Sequence, residues 1–364
     1  MVRRGVAFDP VNAAPVLSPG LPVEIGEIDR ELSRLWEQSE AGKVRASLVN
    51  LVIYSEAPDA IEANTPLLAE IAANHAFRAL LVQGNPGAGD SAVRAWITAH
   101  CHLRSAGQRE ICSEQITFQL DGPCTGRLPN IVFSHLDSDL PLYLWWQGNL
   151  QAQPNPQLWN WVDRLIVDSR SWSQPQDEFR RLQEISTLTR GHSAICDLTW
   201  TRLFNLRYAV AQLFDTPSAG RRLGQLRGVN IHHGPADRIA ALEFLGWLAS
   251  RLRWRLEAGT NETCFRREDG GTIRFALHAE PEGAASIASV HFDFGDAEAS
   301  VRRDEIGEFY LLDFKPPGAP AVAQMLPAGR EKTADVLLAE LGRSSRHPLF
   351  WPSVRAIEPL LGGV

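Results

Sequence analysis

The stretch "DLPLYLWWQG", residues 139 to 148, constrains the fold more than any other part of the chain. Extended, it sets Leu142, Leu144 and Trp146 on one face and Tyr143 and Trp145 on the other. Both faces are then apolar. Such a strand has to be covered twice, so it belongs in a sheet with another layer on each side. The neighbouring segments supply strands and helices. Val44 to Tyr54 is β-branched and continuous, Ile61 to Ala73 has helical spacing, and Arg78 to Gln83 is another apolar strand, so the region opens as β-α-β. Ahead of it, Leu21 to Lys43 spaces Ile25, Ile28, Leu32, Leu35 and Trp36 as one face of an amphipathic helix.

Trp96 to Leu103 and Gln108 to Leu120 flank Ser105-Ala106-Gly107 and read as a hairpin, with Val93, Trp96, Ile97 and His100 offering a helix face as the alternative. Leu128 to Leu136 reads as a helix, "DRLIVDSRSW" as a strand and Gln176 to Leu188 as a helix. The pattern changes near residue 195. Asp197 caps a long helix through "DLTWTRLFNLRYAVAQLFD", and Val229 to His232 is a strand before the helix "ADRIAALEFLGWLASRLRW". Four alternating segments follow at 263–267, 272–278, 286–294 and 308–314, then a proline-rich connector at 316–327 and helices at 333–341 and 348–361. The expected fold is a leader and amphipathic helix at 1–44, an α/β domain at 45–195 with a mixed sheet and helices on both faces, and an α+β domain at 196–364 with an antiparallel sheet.

With 364 residues, 44% of them apolar and 22% charged, the chain has core enough for two domains. Its net charge of −7 provides no basic face for nucleic acid or an anionic membrane. The longest apolar runs are strand-sized, and the amino terminus breaks with proline where a secretory signal would be continuous, so a cytoplasmic protein is expected. The five cysteines contain no C-x-x-C, which argues against both a disulfide scaffold and a zinc ribbon.

"QGNPGAGDS", residues 83 to 91, meets the phosphate-loop pattern at Gly84, Gly89 and Ser91 but carries Asp90 where the lysine should stand. A carboxylate there repels phosphate, so the segment reads as a surface loop. "AHCH" at 99–102, with Cys112 and Glu114, has zinc-ligand chemistry. A hairpin turning at Ala106-Gly107 sets Cys101 opposite Cys112 on one face while His100 and His102 point to the other, so the four do not converge. No metal or cofactor is expected. The same register makes Cys101 and Cys112 either two free thiols or, after a small local adjustment, a readily reduced disulfide. Asp168-Ser169 and Asp197 lie at element ends without a G-x-S-x-G elbow, and His232-His233 before Gly234-Pro235 reads as a turn feature.

Several stretches resemble the glucose-6-phosphate dehydrogenase assembly protein OpcA family: "SLVNLVIY" (47–54), "ICSEQITF" (111–118), "DLPLYLWW" (139–146), "LIVDSRSW" (165–172), "DLTWTRLFNLR" (197–207) and "FLGWLASRLRW" (244–254). The resemblance implies a non-enzymatic partner that binds glucose-6-phosphate dehydrogenase, favours its active oligomer and raises its affinity for glucose 6-phosphate. In phototrophs it also implies thioredoxin-dependent redox control, for which Cys101 and Cys112 stand where the family carries cysteine and Ser113 where some members carry another. Trp and Arg dominate interface hot spots, so Trp145, Trp146, Trp200, Arg202 and Arg207, near the domain junction, are the expected contacts. The two-faced strand also needs Trp145 and Trp146 as core. The alternative is a phosphosugar- or nucleotide-binding enzyme with its site on the loops after the amino-terminal strands.

Overall fold

A computed structural model describes residues 19–37, 43–103, 110–150, 156–258, 263–283, 285–318 and 322–363. The chain divides into two compact units, Met1–Pro141 and Leu142–Val364.

In the first unit the strands are β1 (Leu21–Val23), β2 (Lys43–Arg45), β3 (Asn50–Ser55), β4 (Arg78–Asn85), β5 (Ala92–Leu103) and β6 (Glu110–Asp121). They are accompanied by α1 (Ile28–Glu37), α2 (Ala60–Ala72) and α3 (Leu128–His135). The sheet runs β1-β5-β6-β4-β3, with β2 also on β6. Strands β3, β4 and β6 are parallel to one another and β5 is antiparallel, so the sheet is mixed as expected. Every residue of β3 is buried, and Ala79 to Val82 of β4 have no exposed surface. Each large aliphatic side chain so removed from water contributes roughly 1.5–3 kcal/mol. The amphipathic segment starts its helix only at Ile28, because Leu21–Val23 pairs with β5 before it.

The β5–β6 hairpin has the expected register: Cys101 faces Cys112, His100 faces Ser113 and His102 faces Ile111. Its turn at 105–107 and the leader at 1–18 lie outside the described residues. The loop after β4 runs into a strand, so it offers no helix N-terminus where a phosphate would sit. Gly84 is a packing residue there, since a Cβ on it would lie 2.5 Å from Tyr54 Oη.

The second unit holds the parallel strands β7 (Leu142–Trp146), β8 (Arg164–Val167) and β9 (Ala194–Asp197). Its helices are α4 (Pro156–Trp159), α5 (Pro175–Leu188), α6 (Leu198–Arg202), α7 (Phe204–Asp215), α8 (Pro217–Gly220), α9 (Arg238–Leu252), α10 (Thr333–Leu341) and α11 (Phe350–Ile357). An eight-stranded sheet is built from β10 (Gly228–His233), β11 (Arg255–Ala258), β12 (Thr263–Arg266), β13 (Thr272–Ala279), β14 (Ile287–Asp293), β15 (Glu298–Arg303), β16 (Phe309–Lys315) and β17 (Val322–Pro327). Its order is β11-β12-β13-β10-β14-β15-β16-β17.

This sheet is mixed, which corrects the antiparallel expectation: β10 and β13 run parallel, with α9 and the β11–β12 hairpin making the crossover. The proline-rich connector contains the edge strand β17, where Pro327 ends the strand and leaves no inner ladder bond unmade. Asp197 caps α6 as expected, its carboxylate accepting from Thr199 N, but the long helix breaks at Leu203 into α6 and α7. Helices α9 and α11 cross at Gly246, where a Cβ would run into the Ser353 carbonyl.

Candidate functional site

The carboxyl ends of β8 and β9 gather a network of charged side chains inside the second unit. The backbone leaves β8 at Asp168 and β9 at Asp197, both where a strand gives way to a helical turn. Asp197 Oδ1 accepts from Ser169 N at 3.0 Å and Thr199 N at 2.9 Å, tying the two strand ends together. Asp168 receives the Arg202 guanidinium as a two-pronged fork, both bonds 2.8 Å, and Thr199 Oγ1 at 3.0 Å. Burial pulls the Arg202 pKa down, but the Asp168 bonds and charge outweigh it and the net shift is upward. Arg170 reaches Asp237 at 3.0 Å, and Asp237 in turn accepts from Ser286 Oγ at 3.0 Å.

Behind this lies Glu243 on α9, with no exposed surface, beside Asp197. Burial first, and then the charge of Asp197, hold the Glu243 carboxyl well above its ordinary range. Among the described residues, Asp197 Oδ2 and both Glu243 oxygens are buried without a protein hydrogen-bond donor in standard geometry, and the Ser169 side chain lies close to Asp197. A proton retained on Glu243 makes one carboxyl the donor to the other, which satisfies two orphan acceptors at once. Arg207 stands 3.8 Å above the Trp200 ring and donates to the Trp200 carbonyl at 2.7 Å, with its pKa lowered to about 9 chiefly by burial. The other partner of Trp200 is Phe350, edge-on at 5.8 Å.

A second cluster joins Cys196 of β9, Glu340 of α10 and His347, whose ligand atoms lie within 4.8 Å of one another. The Arg164 guanidinium already stands 2.8 Å from Cys196 Sγ and 3.2 Å from Glu340. Positive charge therefore fills the place a metal would take. Glu340 is lowered to about 2: burial opposes ionisation, and the bonds from His347 and Thr201 outweigh it.

All five expected contact residues lie in this unit and all are buried: Trp145 at 4%, Trp146 and Trp200 at 2%, Arg202 at 7% and Arg207 at 9% exposure. The reason is the one that governs β7: a strand apolar on both faces spends its tryptophans on core, and the arginines are consumed by Asp168 and Trp200. Among the described residues of this unit, the exposed aromatic side chains are Trp161 (68%), Phe204 (52%) and Tyr208 (51%), the last two one turn apart on α7, opposite its buried Leu206 and Val210. Periodicity alone did not separate these from the core. Glu243 carried a readable signal, a lone carboxylate amid the apolar run "IAALEFLGWLA".

In the first unit, Cys101 and Cys112 are joined as a disulfide with Cα atoms 4.0 Å apart, Cys112 on the buried side. The histidines point away: His100 bonds Gln115 at 2.7 Å and His102 bonds the Ala69 carbonyl at 3.1 Å. Glu114 is held by Trp36 and Arg45. The "AHCH" residues do not converge.

Family comparison adds what geometry alone does not. Residues 68–184 match the OpcA family model described as the glucose-6-phosphate dehydrogenase subunit N-terminal domain, and 193–354 match that of its C-terminal domain. Proteins named as OxPP cycle protein OpcA are similar: that of Synechocystis sp. is 30% identical over 45% of this chain and 35% of its own length. That of Synechococcus elongatus is 32% identical over 54% and 46%. The chain thus spans less than half the length of these relatives. Among solved structures, the transcriptional regulator Gal80p of Kluyveromyces lactis shows 12% identity and a TM-score of 0.43 over 91% of this chain and 95% of its own. An NAD binding oxidoreductase from Klebsiella pneumoniae shows 9% and 0.46 over 88% and 96%. At TM-scores below one half, neither likeness bears on function. The two family models in tandem cover most of the sequence, and the chain belongs to the OpcA family of glucose-6-phosphate dehydrogenase assembly proteins.

Proposed function

We propose that this chain is a non-catalytic assembly partner and allosteric activator of glucose-6-phosphate dehydrogenase, acting in the cytoplasm. The observation that supports it is the tandem match at 68–184 and 193–354. The mechanism is differential binding: the chain holds the active oligomer of the enzyme better than the idle form and so shifts its population. A coupling of about 1–3 kcal/mol raises the affinity for glucose 6-phosphate about 5- to 150-fold. Phe204 and Tyr208 are the contacts, exposed on the helix that also carries Arg207 of the Trp200–Arg207 stack. In the same reading the Cys101–Cys112 crosslink is the redox-sensitive element, opened by a thioredoxin-type dithiol.

Co-elution tests the reading. The dehydrogenase of the same organism, mixed with this chain, is expected to elute with it as a larger species, and Phe204→Ala/Tyr208→Ala to weaken the complex at least about tenfold. No complex at micromolar concentration, together with thermal stabilisation of this chain by a sugar phosphate or nucleotide alone, favours the enzyme reading instead.

A further inference from the structure

Alternation gives the eight-stranded sheet a core face, which takes Val229, Ile231, Phe265 and Ile273, and an outer face, which takes His232, Arg255 and Arg266. His232 and His233 thus lie within β10, which corrects the turn feature expected for them. At the β11 edge the outer face carries a pairing that stability does not call for: Arg255 of β11 stands directly opposite Arg266 of β12. Like charges in opposed positions of an antiparallel pair repel. A charge on an edge strand guards it against pairing with other chains, which accounts for Arg255 alone but not for the matching charge across from it.

The two guanidiniums differ in how they are held. Arg266 is engaged by Glu257 at 2.7 Å, Thr272 Oγ1 at 2.6 Å and the Gly270 carbonyl at 3.2 Å. Arg255 is exposed and has no hydrogen-bond or ion-pair partner among the described residues. Arg253 is open as well: its nearest carboxylate, on Glu268, is 3.6 Å away, beyond hydrogen-bond range. Arg267 bonds Asp269 at 3.0 Å and the Leu226 carbonyl at 3.1 Å. These four arginines line one cavity of about 470 Å³, a volume within the range of small-molecule sites, in which Glu257 and Glu268 are the acidic side chains. The excess there is positive, on a chain whose net charge is −7. The carboxyl end of α9 favours positive charge at Arg251 and Arg253, but that effect fades beyond the last turn and leaves the Arg255–Arg266 pair on the strands unexplained.

We propose that this cavity binds a small phosphate-bearing anion, with Arg253 and Arg255 supplying the two unengaged guanidinium forks and Arg266 and Arg267, pinned by their own partners, adding fixed positive charge. A phosphate group carries up to two charges and three acceptor oxygens, so it meets two forks at once. Held between Arg255 and Arg266, it turns their repulsion into a shared attraction. The inference does not rest on the dehydrogenase partnership and is tested on the chain alone.

Calorimetric titration of the full chain with inorganic pyrophosphate at low salt is expected to show one saturable site, whose affinity falls as sodium chloride is raised. Arg255→Gln is expected to weaken it at least about tenfold. Arg302→Gln, which removes the same charge from an exposed position on β15, is expected to bind as the parent does. Melting separates a ligand-binding role from a structural one. Without pyrophosphate, Arg255→Gln is expected to melt at or above the parent's temperature, because it relieves the opposition to Arg266, and pyrophosphate is expected to raise the parent more than the variant. Absence of saturable binding, unchanged affinity in Arg255→Gln, equal losses in Arg255→Gln and Arg302→Gln, or a lower melting temperature for Arg255→Gln without ligand each overturns the proposal.

Discussion

At the scale of single residues, the informative groups are those whose charge the fold has altered. Native Glu243 keeps its proton to a pH well above its unfolded value, so across that window the folded chain binds one more proton than the unfolded one. Stability therefore falls as pH rises, by about 1.4 kcal/mol per pH unit for one proton. Glu243→Gln, which keeps a donor toward Asp197, is expected to remove that slope when urea unfolding is measured at rising pH above the ordinary carboxylate range; an unchanged slope contradicts the shared-proton arrangement. Glu340 behaves oppositely. Lowered to about 2, it contributes stability above its unfolded pKa that is lost as pH falls toward 2, which Glu340→Gln should lack in acid titrations. Arg202→Ala leaves Asp168 without its fork and is expected to cost roughly 3 kcal/mol of stability.

At the scale of elements, the sequence showed what depends on local pattern. Helix α10 and the continuous strand β4 follow from periodicity, and the β5–β6 register follows from a turn placed at Ala106-Gly107, which sets the two cysteines opposite one another. What it hid depends on distant partners. The parallel pairing of β10 with β13 is decided by the crossover between them, and β17 gains its strand character from β16. Burial was the other hidden quantity: Trp200 and Phe204 stand in the same helical run, yet one is core and the other half-exposed. Two measurements address these elements. Gly246→Ala forces α9 from α11 and should lower stability by about 1–3 kcal/mol, visible as a reduced urea midpoint. Reductant should lower the melting temperature of the parent chain, by up to about 3 kcal/mol of stability for a loop this short, but leave Cys101→Ser unchanged. An equal response in both would show that the crosslink does not stabilise the hairpin.

At the scale of the whole molecule, the sequence revealed the family through "DLPLYLWW" and "DLTWTRLFNLR", and these are the segments that build β7 and the strand-end network. The tryptophans and arginines of these segments are buried by the fold, whereas Phe204 in the second of them is half exposed. The buried ones report on the scaffold, and the exposed face that would meet a partner has to be read from the structure. Among the described residues no helix is long and apolar enough to cross a membrane. The most direct measurement is a steady-state assay of the cognate dehydrogenase with glucose 6-phosphate varied, with and without saturating amounts of this chain. The account predicts a half-saturation concentration lowered at least about fivefold, with the effect lost in Phe204→Ala/Tyr208→Ala. Superimposable curves with and without the chain would contradict it.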